Sequence, residues 1–153
     1  MSDLLQPDGP FYIEISQAFI AIDNRFLMQL RDFKPSILYP GHWGFFGGHW
    51  ETGETAEAAM KRELLEELRW QPRSLTFLGN LIVEGNRRIH AHQCQPDLQL
   101  QTLDLQEGQE IGAFTVEEIT RNSLFSQKWK QHYPISPISA KVFQHFMGEY
   151  VHD

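Results

Sequence analysis

The segment GGHWETGETAEAAMKRELLEELRW spans residues 47–70. It contains three closely spaced carboxylates, those of Glu63, Glu66 and Glu67, all within five consecutive positions. Hard divalent cations take oxygen ligands and are favoured by clustered negative charge, so these side chains could hold a metal ion. They could also form a solvated acidic face paired in part with neighbouring arginines, because like-charge contacts on an open helix cost only about 0.2–0.5 kcal/mol each. The glutamates by themselves leave both interpretations open.

The same segment is predicted to form an amphipathic helix. Thr55 is a candidate N-cap, and Glu57 lies in the first turn, where the helix dipole favours a negative charge. Pro72 ends the pattern. At about 100° per residue the three glutamates lie roughly opposite Leu65, which we expect on the apolar face. The predicted apolar face consists of Ala58, Met60, Leu64, Leu65 and Leu68.

Glycines precede this helix where the backbone must turn or approach another group closely. Gly47 and Gly48 permit close approach to a ligand or a positive φ, and Gly53 marks a tight turn just before the helix. After Gly48 come five residues, Glu54, seven residues and then the sequence RELLEE at 62–67. This arrangement resembles the Nudix box, the loop-helix-loop signature of the Nudix hydrolase family, which has the same residue types at the same spacing.

The resemblance covers about residues 16–147 and implies the Nudix fold, a mixed β-sheet sandwiched between α-helices. Members of this family hydrolyse a diphosphate linked to another moiety and use Mg²⁺ or Mn²⁺. By position, the resemblance implies that Glu63, Glu66 and Glu67 are catalytic metal ligands. It implies the backbone carbonyl of Gly48 as a further metal ligand.

Two other positions of the box carry structural expectations. Glu54 and Arg62 match the pair in which the family's arginine orients the loop against the helix. The box normally ends in glycine and an aliphatic residue, but Arg69-Trp70 stands here. A glycine there would adopt a left-handed conformation, which costs a larger residue strain. We therefore predict that the helix continues through Arg69 toward Pro72.

A further carboxylate is found in LQEGQE, residues 105–110. A glutamate in a loop before a strand is ordinarily solvated. In mutator-type Nudix pyrophosphatases, however, a sequence similar to Glu107-Gly108-Gln109 carries a carboxylate that binds metal or accepts a proton from water. The resemblance therefore makes Glu107 a predicted catalytic residue, with Glu110 as the alternative.

Three other features carry weaker signals. His90 and His92 are two residues apart on one face of a predicted strand, which is a zinc-ligand spacing, but without a third ligand in the sequence pattern a pocket or packing role is favoured. The aromatic residues of WGFF (43–46) could stack on a nucleobase or belong to the core. Cys94 is most simply a buried strand residue.

Elsewhere the sequence predicts mostly strands. Asp23-Asn24 and Gly85-Asn86 are predicted turns between pairs of strands. Apolar and alternating patterns predict strands at 11–22, 25–31, 75–84, 87–94 and 110–116, and a short aromatic strand followed by a glycine turn within 38–48.

Two more helices are predicted from capping signals. Thr115 and Glu118 form a capping box for a short helix at 116–121, and Ser136-Pro137 opens a helix that we expect to end near Met147. Strands and separated helices together indicate an α/β or α+β class with a mixed sheet.

Bulk properties narrow the class of protein. A length of 153 residues predicts a single domain over residues 1–153. The net charge of −7 argues against binding to nucleic acid backbones, and an anionic substrate would need metal cations to be held. The single cysteine suits a reducing compartment, and no apolar run or secretion signal points to a membrane or to export. We expect a cytoplasmic protein.

The sequence thus favours a metal-dependent hydrolase of a nucleoside diphosphate derivative. The compact length and the Glu-Gly-Gln sequence favour nucleoside triphosphates, including oxidised ones, while nucleotide sugars and ADP-ribose stay open. A different class is a Nudix domain that binds nucleotides and regulates without turnover, but such a protein would be expected to lose box glutamates. The base, the bond cleaved and the oligomeric state, including a dimer, are left open.

Overall fold

The computed structural model describes residues 11–94 and 103–152 of the chain. In chain order the elements are β1 (Ile13–Ile22), β2 (Arg25–Leu30), β3 (Trp43–Gly44), β4 (Phe46–His49), α1 (Ala56–Leu68), β5 (Thr76–Val83), β6 (Arg87–Cys94), β7 (Glu110–Phe114), α2 (Val116–Thr120), β8 (Ser123–Ser126), β9 (Gln131–Pro134) and α3 (Pro137–His152). The third helix is therefore longer than the sequence predicts. Among the described residues, no helix combines the length and the hydropathy that crossing a membrane requires.

A mixed sheet built around β1 forms the centre of the fold. The strand order is β3-β2-β1-β6-β5, with β4 added to β1 and β7 added to β2. Strands β1 and β6 are parallel from the pair Ile13 and Arg87 to the pair Ile20 and Cys94, and the other pairings are antiparallel. The predicted class, a mixed sheet with helices, is confirmed.

Helices cover both faces of this sheet, as a sandwich requires. Helix α1 packs on one face, where Met60, Leu64 and Leu68 meet Ala18 and Ile20 of β1. The other face carries a larger apolar cluster that includes residues of α3, and its aromatic members are Phe19, Phe26, Trp43, Phe45, Phe114 and Phe143. The aromatic segment 43–46 therefore belongs to the core, and Phe45 additionally faces the cleft described below.

The predicted hairpin turn at Asp23-Asn24 and the predicted helix caps at Thr55 and Thr115 are confirmed. Asp23 and Asn24 have φ of 50° and 63°, the left-handed pair that a two-residue hairpin of this twist needs. Thr115 caps α2, and its capping box with Glu118 is complete. The Thr55 hydroxyl accepts a hydrogen bond from the Ala58 N–H at 3.1 Å at the start of α1. Each of these features depends on residues close together in sequence.

The predicted apolar face of α1 is wrong in part. Leu65 is 48% exposed and Ala58 is exposed, whereas Glu67 lies among the buried residues and is only 6% exposed. The helix is rotated so that Glu67 points into the protein, because β4 supplies a hydrogen-bond donor for its carboxylate. A polar side chain can replace an apolar one on a buried face when it has such a partner.

The predicted end of α1 is also wrong. Arg69 adopts a left-handed conformation with φ 56° and ψ 34°, so the helix ends at Leu68. The chain must turn here because the last carbonyls of the helix bind the segment 103–109: the Asp104 N–H donates to the Leu68 oxygen at 3.2 Å and the Gln106 N–H to the Glu67 oxygen at 2.8 Å. These long-range hydrogen bonds outweigh the strain at Arg69.

Candidate active site

A cleft of about 370 Å³ lies above β1, β4 and β6. Its walls come from the loop after β2, the start of α3 and the loop before β7. The apolar lining consists of Ile15, Leu38, Phe45, Ile89 and Ile138. The ionisable and polar lining consists of Gln17, Arg31, Tyr39, His49, Glu63, Glu67, Arg87, Glu107, Ser136 and Ser139. Such a cleft, in which many ionisable and polar groups converge beside apolar side chains, has the character of a site for a polar small molecule.

Strand β4 brings two glutamates of α1 to this cleft. Gly47 and Gly48 lie within the strand, so the predicted glycine turn is wrong, but both require glycine. A Cβ on Gly47 would lie 1.9 Å from the Ser16 oxygen, and one on Gly48 would lie 2.5 Å from the Cδ of Glu63. The absence of side chains lets the Glu63 carboxylate lie directly against the strand.

The Glu67 carboxylate is buried at the edge of β4. Its Oε1 accepts a hydrogen bond from the Gly47 N–H at 3.1 Å. Burial, together with the negative charges of Glu63 and Glu107, raises the pKa of Glu67 to about 8, although hydrogen bonds from Gly47 and Gln29 act in the opposite direction. Burial is also the main cause of the raised pKa of Glu63. The two side chains therefore lie where burial and mutual repulsion disfavour the ionisation of both carboxylates.

Arg62 joins the helix to the loop before it. Its Nε and Nη2 donate to the two carboxylate oxygens of Glu54 at 2.7 and 3.0 Å, and Nη2 also donates to the His49 carbonyl at 2.9 Å. The Nη1 group donates to Oε2 of Glu63 at 2.8 Å. The hydrogen bonds to Glu54 lower its pKa, and the bond to Oε2 holds the Glu63 carboxylate in place.

Glu66 differs from its two neighbours. Its side chain is 56% exposed, does not line the cleft, and lies 3.2 Å from the Nη1 of Arg62. The structure thus brings together Glu63, Glu67 and Glu107 rather than the three glutamates of the helix. In the described residues, no three or more acidic, histidine or cysteine side chains form a ready-made metal cluster.

Glu107 reaches the cleft from a loop that is anchored on both sides. On the N-terminal side of Glu107, the Gln106 N–H binds the end of α1. On the C-terminal side, Gln109 donates two hydrogen bonds: its backbone N–H to the Leu30 carbonyl at 2.7 Å and its side-chain Nε2 to Oδ1 of Asp32 at 2.6 Å. Gly108 makes the turn with φ +88°. The Glu107 side chain is exposed and lines the cleft.

Glu110 has a different environment. It lies in β7, and its carboxylate accepts hydrogen bonds from the Ser126 hydroxyl at 2.6 Å and the Gln127 N–H at 3.0 Å. These bonds attach the β8–β9 hairpin to the sheet. Of the two loop carboxylates considered from the sequence, Glu107 alone lines the cleft.

Several polar residues that line the cleft were not predicted as site residues, among them Gln17, Arg31, Tyr39 and Arg87. Arg31 follows β2, and burial lowers its pKa while the charges of Glu67 and Glu107 raise it. The Tyr39 hydroxyl donates to Glu84 in the turn between β5 and β6. An arginine at the end of a buried strand is the signal that could have identified Arg31, because a charged group there needs a partner or a ligand.

The two histidines lie on the α1 side of the sheet, away from the cleft. His90 Nε2 is 2.7 Å from Oε1 of Glu14, and its ring packs on Trp50 with centroids 4.5 Å apart. His92 is buried beside Phe77. The geometry gives both histidines a packing role. Burial raises the pKa of Cys94 to about 12, so its thiol stays protonated in the core.

Comparisons with known proteins give a family match. The NUDIX domain model matches residues 16–137, which is most of the chain. No curated protein matches the sequence.

Solved structures also resemble the chain. The Escherichia coli ORF135 protein is 27% identical, with 92% of this chain and 94% of that chain covered and a TM-score of 0.66. The MutT protein from Methanosarcina mazei Go1 is 20% identical, with 95% and 99% covered and a TM-score of 0.69. The NUDIX domain of Shewanella oneidensis NrtR, crystallised with ADP ribose, is 14% identical, with 95% and 94% covered and a TM-score of 0.64.

Proposed function

The chain belongs to the Nudix domain family and is a Nudix-type pyrophosphohydrolase, and we propose that it cleaves the diphosphate linkage of nucleoside triphosphates, oxidised ones included, with Mg²⁺ or Mn²⁺. One observation carries this proposal: the buried Glu67 carboxylate shares a cleft with Glu63 and Glu107, and its pKa is raised to about 8. Perturbed carboxylates of this kind mark functional sites.

The residues present fit a divalent cation. All the candidate ligand atoms are oxygens, which Mg²⁺ and Mn²⁺ prefer, and the raised pKa values of Glu63 and Glu67 support a site that added positive charge would stabilise. Glu63, Glu67 and the Gly48 carbonyl would hold the ion, whereas Glu66, whose side chain lies outside the cleft, is proposed as a ligand only by its position in the box. When bound, the cation supplies charge for the phosphates and makes water more acidic.

The chain's own side chains prepare the site for the substrate. Arg62 fixes Glu63, so that one carboxylate oxygen is occupied and the group cannot rotate freely. Glu107 is an exposed carboxylate on an anchored loop, and we assign it the role of accepting a proton from the attacking water or of completing the metal site. Arg31, beside Glu67 and Glu107, offers a fixed cation for a phosphate oxygen.

A second candidate substrate is ADP-ribose or a nucleotide sugar. The observation in its favour is the Shewanella oneidensis NUDIX domain, whose structure resembles this chain and was solved with ADP ribose. A domain that only binds nucleotides is a third alternative, and the complete set of box glutamates argues against it. We further propose a cytoplasmic location, since a single cysteine suits a reducing compartment.

A nucleotide panel tests these proposals. Nucleoside triphosphates, their oxidised forms, ADP-ribose and nucleotide sugars would be incubated with Mg²⁺, and phosphate and pyrophosphate release measured. Glu67→Gln should abolish turnover, whereas Glu57→Gln, an exposed glutamate on the same helix that pairs with Lys61, should not. Full turnover in excess chelator, or by the Glu67 variant, would exclude the proposed mechanism.

A further inference from the structure

Gln17 occupies an unusual position in the floor of the cleft. It lies in the middle of β1, paired with Gly47 of β4 on one side and with Ala91 of β6 on the other. Glycine has no side chain and alanine only a methyl group, so neither strand partner offers a polar side chain to the Gln17 amide. The residues around it in the floor, Ile15 and Ile89, are apolar.

The Gln17 amide also lacks a hydrogen bond that its burial demands. Its Oε1 is enclosed and has no hydrogen-bond partner among the residues that the structure describes, although the residue as a whole lines the cleft and is partly exposed. An enclosed polar atom without a partner is rare and destabilises the fold, which calls for an explanation. The terminal torsion of a glutamine is soft, so the amide can rotate to meet a ligand in the cleft.

The position of Gln17 relative to the acidic residues indicates which part of a substrate would meet it. Its neighbour Gly47 donates to Glu67, so the acidic residues lie one strand away on the β4 side. Arg87 and Ile89 lie on β6, on the opposite side. A nucleotide with its phosphates at Glu63, Glu67 and Glu107 that extends toward β6 therefore passes its nucleoside half across Gln17, beside Ile15 and Ile89.

We propose that Gln17 determines specificity by accepting a hydrogen bond from a donor on the nucleoside half of the substrate, either a ribose hydroxyl or a nucleobase N–H. The proposal rests on the proposed nucleotide hydrolysis, since that function locates the phosphates. A cleft that leaves a polar atom unpaired until the correct ligand arrives rejects analogues without the donor more strongly than an apolar cleft can. Gln17 thus selects among nucleotides and takes no part in bond cleavage.

The chain offers a matched pair of variants for the test. Gln17→Met keeps an unbranched side chain of similar size and removes the amide. Gln93→Met makes the same change on the same face of the sheet, at a β6 position paired with Phe19 that does not line the cleft. Thermal unfolding shows whether both variants are folded. The melting temperature of Gln17→Met should equal or exceed that of the parent, because the unpaired Oε1 is removed.

Substrate pairs that differ by one donor give the readout. A ribonucleotide and its 2′-deoxy counterpart test the ribose hydroxyl, and GTP with ITP tests one exocyclic amino group. In the parent, kcat/KM should favour the donor-bearing member of one pair by about 10-fold to 100-fold, as expected when a polar atom in the site is left unpaired. In Gln17→Met that ratio should fall to about 1, and in Gln93→Met it should persist.

The outcomes separate this inference from the proposed function. Ratios near 1 in the parent, unchanged ratios in Gln17→Met, or an equal loss in Gln93→Met would each overturn the role of Gln17. If the parent hydrolyses none of the nucleotides, the proposed function fails. In that case, binding of the corresponding nucleoside 5′-monophosphates is measured by calorimetry, and ratios of dissociation constants replace the ratios of kcat/KM. The same criteria then test the role of Gln17.

Discussion

Arg62 holds Glu54 through two parallel hydrogen bonds, from Nε at 2.7 Å and from Nη2 at 3.0 Å, and the same guanidinium binds Glu63 at 2.8 Å. One planar group thereby links the loop before α1 to a carboxylate of the cleft. Lysine carries the same charge but has no planar pair of donors for a carboxylate. The geometry at Arg62, more than its charge, is what orients Glu63.

Arg62→Lys is therefore expected to impair activity strongly. A displacement of Glu63 by about 1 Å is enough to lower kcat about 100-fold. The melting temperature should also fall, because the bond to the His49 carbonyl is lost together with the pairing to Glu54. Steady-state kinetics and calorimetry would measure both effects. Lys61→Arg, on an exposed pair with Glu57, is the control, and equal behaviour of the two variants would contradict the role of Arg62.

Stability of the metal-free protein should depend on pH through Glu67. Its pKa is raised to about 8 in the fold, so the folded protein keeps a proton that the unfolded chain releases near pH 4.5. The contribution of this group to the free energy of unfolding is full below about pH 4.5 and is lost as pH rises toward about 8. Denaturant titrations over this range should show the parent losing stability relative to Glu67→Gln. Parallel curves would refute the raised pKa.

Magnesium should reverse this loss. A cation at Glu67 favours the ionised carboxylate, so added Mg²⁺ should stabilise the parent more at about pH 8 than at about pH 5. The melting temperature at both pH values, with and without the ion, measures the effect. Glu67→Gln should respond less at both, and an equal response by the variant would place the ion elsewhere.

Substitutions of Glu107 and Glu110 should have different effects on the kinetics and on the stability. Glu107→Gln removes a proton acceptor and is expected to lower kcat about 10²–10⁴-fold with little change in KM. Glu110→Gln weakens the bonds to Ser126 and Gln127, so it should lower the melting temperature while kcat is largely kept. The reverse pattern would assign the reactive carboxylate to Glu110.

Arg69→Gly should stabilise the protein by up to roughly 1 kcal/mol, since glycine adopts the observed φ of 56° without steric cost. The variant also loses a long, exposed bond from Arg69 Nη2 to Gln106 at 3.3 Å, which is a small effect beside the relief of strain. Arg69→Ala loses the same bond and keeps the strain, so it serves as the control. Denaturant unfolding that ranks alanine above glycine would contradict the left-handed conformation.

The sequence was most informative where structure depends on neighbouring residues. The hairpin at Asp23-Asn24 and the capping box of Thr115 and Glu118 are short-range features, and both are confirmed. The end of α1 was mispredicted because the hydrogen bonds that stop it at Leu68 come from Asp104 and Gln106, far along the chain.

The same limit applies to the cleft. The sequence spacing groups Glu63, Glu66 and Glu67 on one part of the helix. It does not show that the Glu66 side chain points outward, or that Glu107 lines the same cleft as Glu63 and Glu67. Gln17 lies in β1 and Arg31 directly follows β2, and nothing in their local sequence links them. Burial decides which polar groups act together, and burial depends on the packing of α1 against β4.

The contact between Gly48 and Glu63 also constrains how the sequence can vary. A side chain at 48 would have to displace the carboxylate 2.5 Å from its Cβ, while the neighbouring position 47 is closed by the backbone oxygen of Ser16. Position 47 should therefore accept glycine alone in a saturation library. At position 48, alanine should be selected mainly in combination with Glu63→Asp, whose shorter side chain makes room for the added Cβ. Positions 48 and 63 should therefore vary together rather than independently.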